Sequence, residues 1–165
     1  MGEKFRRTAM RWTLLIALVI LVADQITKAL ILGLLEQPGN QIVVTGFFNL
    51  VLTHNTGVSF GLLQSESPWR PYLLSGVALA IVAALLIWVK RQPLGLIPYG
   101  AGLVVGGAIG NVIDRMHQPG VVDFLDLHVA GWHWPAFNVA DSAIVCGVAL
   151  IVADGLFDHS RKSNK

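Results

Sequence analysis

Six aspartates sit where an apolar chain should rarely carry them. Asp24, Asp114, Asp141 and Asp154 fall within or at the ends of long apolar runs, and Asp123 and Asp126 follow one such run closely. An ionisable group at the centre of a spanning helix costs about 2.5–3.5 kcal/mol on insertion scales, so such groups face a cavity or a partner and are functional candidates. Two carboxyls within contact distance cannot both ionise easily; one keeps a proton while the other stays charged. Aspartic peptide hydrolysis requires that state: the ionised member takes a proton from water, and the protonated member polarises the scissile carbonyl and then supports departure of the amine. Asp123 and Asp141 are the pair that the topology of the chain could bring together.

The elements that must position them are membrane helices. The chain has 165 residues, 54% hydrophobic and 13% charged, with a mean hydropathy of +0.62. Soluble domains carry about 25% charged residues, so half the usual supply for a wetted surface is missing. Disorder, nucleic-acid binding and a disulfide-stapled scaffold are excluded; Cys146 is alone, and the net charge is only +2. A span needs about 20 mostly apolar residues, and residues 12–35, 71–89, 94–113 and 137–157 qualify. The first run has Lys4, Arg6 and Arg7 before it, like a secretory signal, but continues past Asp24 with no small-residue cleavage site, so it is expected to be retained. The fold expected is an all-α integral membrane protein of four transmembrane helices with a small extracytoplasmic β-sheet or cradle at the outer interface, one domain over residues 1–165.

Basic residues orient it. Nine of the twelve Lys and Arg precede span one (Lys4, Arg6, Arg7, Arg11), join spans two and three (Lys90, Arg91) or follow span four (Arg161, Lys162, Lys165). Four spans put all three groups on one side, the cytoplasm, with both termini inside. The external segments, about 36–70 and 114–136, read as strands. Gln41–Leu52 is rich in Val, Phe and Thr, and Asn55-Thr56-Gly57 and the short run Val58–Leu63 follow it; together they read as two or three strands with a turn. Pro119-Gly120 turns into a strand at Val121–Val129, and Trp132-His133-Trp134 favours the bilayer surface.

Each acid has a bland alternative. Asp24 can pair with Lys28 one helical turn on. Asp154 lies about 20 Å from Asp141 along span four, and snorkelling to the inner interface accounts for it. Asn111, Asp114 and Arg115 share one side of span three, where Gly102, Gly106, Gly107 and Gly110 permit close helix packing; a polar ligand-binding cluster explains them better than ion pairing alone. In Val121–Val129, alternation groups Asp123 with Leu125 and Leu127, and Asp126 with Phe124 and His128. That predicts Asp123 on the apolar face, with a raised pKa from lost solvation. Asn138 and Asp141 sit in the first turn of span four, where helix capping is the competing explanation. Span three exits, and span four enters, at the same outer face, so Asp123 and Asp141 can meet at the membrane boundary.

DQITK at 24–28, NTGVSFG at 55–61, GGAIGNVIDR at 106–115, VVDF at 121–124 and FNVADSAI at 137–144 together resemble bacterial lipoprotein signal peptidase, or signal peptidase II. Five motifs in order on four spans make the resemblance specific. It implies an aspartic endopeptidase of the bacterial inner membrane, with no metal or other cofactor, acting as a monomer on lipidated prolipoproteins among membrane lipids. Cleavage falls just before the diacylglyceryl cysteine. By motif the resemblance makes Asp123 and Asp141 catalytic, and Asp24, Lys28, Asn55, Gly57, Asn111, Asp114, Arg115 and Asn138 the residues that bind substrate and hold the site. It implies nothing for Asp126 or for residues 128–134. Acyl chains would lie on apolar helix faces, and strands within 41–63 would clamp the extended peptide.

Four other readings compete. A metallopeptidase could use Asp126, His128, His133 and His117, but no His-Glu-x-x-His helix is present. A serine protease has Ser59 and Ser142 but no partnered histidine in a neighbouring span. A small proton- or ion-coupled transport subunit could use buried acids as a relay, yet these acids cluster at the outer face. A structural chaperone leaves the placement of Asp123 and Asp141 unexplained.

Overall fold

The computed structural model describes residues 2–36, 40–57 and 68–163. The elements in chain order are α1 (Gly2–Leu35), β1 (Gln41–Thr45), β2 (Phe48–Asn55), α2 (Arg70–Val89), α3 (Leu96–His117), β3 (Val121–Val129), β4 (Trp132–His133) and α4 (Val139–Ser163). All four helices carry stretches long and apolar enough to cross a membrane: Arg7–Leu35, Arg70–Val89, Leu96–His117 and Val139–Leu156.

The least apolar of the four is the one inside. α3 has 61% of its most apolar window buried, against 17–22% in the others, because its glycines admit neighbouring backbones. A Cβ at Gly102 or Gly106 would come within 2.8 or 2.6 Å of the Thr13 or Ala17 carbonyl of α1, and one at Gly100 within 2.6 Å of Gly147 O on α4. Gly107 lies against the Ala140 carbonyl, and Gly110 against the Asp24 carboxylate. Packing therefore accounts for the glycines of α3, as expected of small residues at helix crossings. At Gly110 the absent side chain also makes room for a functional candidate.

Three boundaries differ most from the hydropathy reading. α1 begins at Gly2, before the apolar run, α4 continues to Ser163 rather than ending near 157, and α3 continues to His117 rather than ending near 113. Hydropathy marks the part of a helix that lies in hydrocarbon; hydrogen bonding continues beyond it. The extension of α3 puts Asp114 and Arg115 on helix, with Arg115 and His117 in the last turn, where cations complement the helix dipole.

The sheet is four-stranded and antiparallel in the order β1-β2-β3-β4. Thr53 lies opposite Asp123, and Asn49 opposite Asp126. The first external segment, expected to hold two or three strands with a turn, holds β1 and β2 among the described residues, a hairpin that turns at Gly46-Phe47. Asn55-Thr56-Gly57 closes β2: Gly57 takes φ +90° and its N–H donates to Asn55 Oδ1 at 2.8 Å, an Asx turn. The Val58–Leu63 run lies outside the described residues. β3 runs over Val121–Val129 as expected, but its apolar face is the other one. Val122 and Phe124 join Leu52 of β2 and Ile31 and Leu35 of α1 in a buried cluster, which seats the sheet on the C-terminal end of α1.

Candidate active site

The site is built at the start of α4. Asn138 is its N-cap: Oδ1 accepts the Asp141 N–H at 2.8 Å, and Asp141 Oδ2 accepts the Asn138 N–H at 3.3 Å. This is a reciprocal capping box, so the capping reading of Asp141 holds. It occupies one carboxylate oxygen only. The other, Oδ1, accepts from Asn111 Nδ2 of α3 at 2.8 Å.

Asp123 reaches the same place from β3. Its Oδ1 accepts from Asn138 Nδ2 at 2.8 Å and its Oδ2 from Asn55 Nδ2 at 2.9 Å. Asn138 therefore touches both aspartates, one through its side-chain amide and the other through its backbone N–H and its Oδ1. The Asx turn at Gly57 holds the Asn55 Oδ1, which leaves Nδ2 aimed at Asp123. Asp123 is 1% exposed, whereas Asp141 is half-buried and lines a cleft. Burial pushes the Asp123 carboxyl up to about 6; hydrogen bonds from Asn55 and Asn138 and the charge of Lys28 pull against that, while the Asp141 charge adds to it. The raised direction agrees with the alternation argument, but its source is enclosure among amides rather than an apolar strand face.

Beneath the pair lies a fully enclosed ionic layer. Lys28 Nζ is 2.8 Å from Asp24 Oδ2, 2.8 Å from Asp114 Oδ2 and 3.1 Å from Asn111 Oδ1, which uses all three ammonium protons. Asp24 Oδ1 accepts the Ala140 N–H of α4 at 3.0 Å, and Asp114 Oδ2 accepts the Val122 N–H of β3 at 3.0 Å. The intrahelical pair expected for Asp24 is present, yet it is one limb of a network joining α1, α3, α4 and β3. Gln25, which sequence reasoning did not single out, bridges Asp24 Oδ2 and Asp114 Oδ1 at 3.2 Å each. Its only signal was an uncharged polar side chain inside an apolar run.

A cleft of about 430 Å³ opens below Asp141 between α2, α3 and α4. Leu74, Val77, Ile81, Ile144 and Val148 wall it, and Asn111, Arg115 and Asp141 stand at its polar end. Arg115 Nη1 donates to Asn111 O at 3.3 Å. This gives an apolar trough whose polar end holds Asp141, with Asp123 enclosed behind it across Asn138.

The other candidates lie elsewhere. Asp126 is buried on the opposite face of β3, with Asn49 Nδ2 at 2.8 Å and His133 Nδ1 at 2.9 Å. Burial disfavours its ionisation, but the hydrogen bonds from His133 and Asn49 outweigh that and hold its pKa below the ordinary carboxylate value. His128 and His133 stack with ring centroids 4.9 Å apart, and no group of three or more His, Cys, Asp or Glu among the described residues could hold a metal ion. Ser142 Oγ donates to Asn138 O at 3.0 Å; Ser59 lies outside the described residues. Asp154 is near Gly95 at the other end of α4, at the inner interface by the expected orientation.

The comparisons with known proteins agree with one another. The family model for Signal peptidase (SPase) II matches residues 16–157. A lipoprotein signal peptidase of Janthinobacterium sp. (strain Marseille) is 46% identical over 143 residues, 86% of each chain. One of Vibrio vulnificus (strain CMCP6) is 40% identical over 162 residues, 93% of each chain. A bacterial membrane enzyme solved by the in meso method at 2.3 Å resolution superposes with a TM-score of 0.79 at 31% identity, covering 93% of this chain and 92% of that one. All five sequence motifs lie within the matched span, and the overall fold is shared with a solved membrane enzyme. The chain belongs to the signal peptidase II family.

Proposed function

We propose that this chain removes signal peptides from diacylglyceryl-modified prolipoproteins by aspartic catalysis at Asp123 and Asp141. One observation carries the reading: two carboxyls from different elements meet at Asn138, at the mouth of an apolar cleft between helices. A substrate whose acyl chains stay in the bilayer needs its scissile bond presented at such a boundary. The ionised aspartate takes a proton from water, and the oxygen of that water bonds to the carbonyl carbon. The protonated aspartate hydrogen-bonds the carbonyl oxygen and supplies the proton that leaves with the amine as the C–N bond breaks. The products are the signal peptide with a new carboxylate and a lipidated cysteine with a free amine. Asn55, Asn111 and Asn138 hold the two carboxyls; Asp24, Lys28 and Asp114 position those amides and the two backbones; Arg115 faces the substrate. No transport step is needed, and membership of a peptidase family leaves the transport reading without support.

The same reading sets the chain as one peptidase domain in the bacterial inner membrane, a monomer with both termini cytoplasmic. Its support is the charge pattern. The site lies at the α3 C-terminus and α4 N-terminus, the ends opposite the Lys90–Arg91 connection. Trp132 and Trp134, 62% and 56% exposed, then rest in the outer interface.

The purified chain in micelles, with a chelator present, should cleave a diacylglyceryl-modified prolipoprotein before its lipidated cysteine and leave the unlipidated precursor intact. Chelator-sensitive cleavage would return the reaction to a metal, and no cleavage by folded protein would remove the peptidase reading.

A pH profile adds a second check. With Asp123 holding its proton to about 6, kcat/KM should fall as pH rises through that value, by about tenfold per unit beyond it. Bound substrate desolvates the site further, which favours the protonated form, so the fall in kcat should come at higher pH. A kcat/KM flat from pH 5 to pH 9 (roughly the accessible range) would mean that cleavage needs no protonated carboxyl.

A further inference from the structure

A second cavity, of about 330 Å³, lies at the outer ends of α2 and α3 beside the Asn55 end of β2. Asn55, Thr56, Arg70, Arg115 and Gln118 supply its polar wall. It is continuous with the apolar cleft, since Leu74 and Arg115 line both. None of the described residues lining it is acidic, yet two are arginines. Arg115 already lies in the field of Asp141, Asp114 and Asp123. Arg70 has no such company among the described residues: its Nη2 is buried and makes no hydrogen bond with them. A buried charged donor left unpaired is costly, and the cost is removed when an anion arrives. The guanidinium fork fits a planar carboxylate best, through two parallel hydrogen bonds.

We propose that Arg70 and Arg115 form an anion subsite that receives an acidic side chain of the substrate, within the first three residues of the mature segment after the lipidated cysteine. The proposal rests on the peptidase reading above. Asn55 both donates to Asp123 and lines this cavity, so the cavity begins one side chain from the reacting centre. An extended peptide advances about 3.3 Å per residue and crosses it within about three residues. The signal segment is apolar and stays among the helices. The mature segment is the part that must leave past the outer ends of α2 and α3, where the arginines are. A phospholipid phosphate would suit the same charge, but the cavity opens onto the dyad and is walled by the end of β2, along the path of the peptide.

The test uses the full chain in neutral micelles with lipidated prolipoproteins that differ only by Asp or Asn at the first, second or third residue after the cysteine. Wild type should cleave the Asp form with kcat/KM about tenfold higher at one of these positions. Arg70→Gln should bring that ratio to about one, and Arg70→Glu should turn the preference towards Lys. Cleavage of every substrate with ratios near one in wild type overturns the subsite and leaves the peptidase reading standing; no cleavage of any substrate overturns both. Equal losses on Asp and Asn substrates in Arg70→Gln, with the ratio kept, would mean that Arg70 serves the chain's own structure, and would overturn the proposal. So would activation by phosphatidylglycerol that Arg70→Gln abolishes without any Asp/Asn discrimination, which assigns the site to a headgroup.

Discussion

Asp123→Asn and Asp141→Asn should each lower prolipoprotein cleavage by about 10³-fold or more, and the double variant should be little worse than either single one. General acid–base steps are worth about 10²–10⁴-fold, and residues that act as a unit lose most of their effect when the first is removed. The substitutions suit the test because the site tolerates amides. At Asp141 an Asn oxygen can still accept from Asn111 or from the Asn138 N–H, so the capping box is weakened but not lost. At Asp123 the two oxygens accept from two amide donors, Asn55 Nδ2 and Asn138 Nδ2. An Asn there must set one NH2 against another, and the cost is one hydrogen bond, about 1 kcal/mol. Partial compensation comes from losing the repulsion between the two carboxylates. Thermal unfolding in micelles should therefore shift by only a few degrees (about 2–4 °C per kcal/mol at this size) while cleavage disappears. Retention of activity within about tenfold of wild type in either single variant would be too small a loss for a proton-transfer residue and would move the chemistry away from this pair.

Much of this arrangement is legible in the sequence, and what is not has physical causes. Spans are readable because hydrocarbon demands an uninterrupted apolar length. The convergence of Asp123 and Asp141 follows from topology alone, since one segment leaves and the next enters at the same face. Two or three strands are legible before α2, but the turn at Gly46-Phe47 is not located, because a single glycine among Val, Thr and Phe does not stand out against strand propensity, whereas Asn55-Thr56-Gly57 does. The apolar face of β3 is misjudged because alternation counts residues on one strand. The burying surface is α1, and Ile31 and Leu35 select the Val122–Phe124 face. The least readable feature is Asn138 as the common partner of both aspartates. A capping residue followed three positions later by an acid is a local helix-start signal, and nothing local shows that its free amide reaches β3.

Lys28 was hidden in the same way, since a pair four residues apart on one helix explained it locally. Its real load gives the second large effect. Lys28→Met should destabilise the chain by about 3–5 kcal/mol, the usual result of removing one partner from a buried ionic cluster. Lys28 is 3% exposed, Asp24 0% and Asp114 4%, so water cannot replace the lost ammonium. Two carboxylates would be left facing each other across α1 and α3, with the Asn111 Oδ1 also stripped of a donor. The fall should appear as a drop of about 10 °C in the unfolding midpoint in micelles. Activity should fall too, because Asp24 and Asp114 hold backbone N–H groups near the starts of α4 and β3, the two elements that carry the aspartates. Adding Asp24→Asn to Lys28→Met should restore part of the stability, since it removes one of the two uncompensated charges and keeps an oxygen for the Ala140 N–H. Such recovery is a coupling of the kind found between residues in direct contact. Additive losses would instead mean that the lysine acts through packing alone. A Lys28→Met midpoint within a degree or two of wild type (roughly 0.5 kcal/mol) would show that the charges beneath the site are not what holds α4 and β3 together.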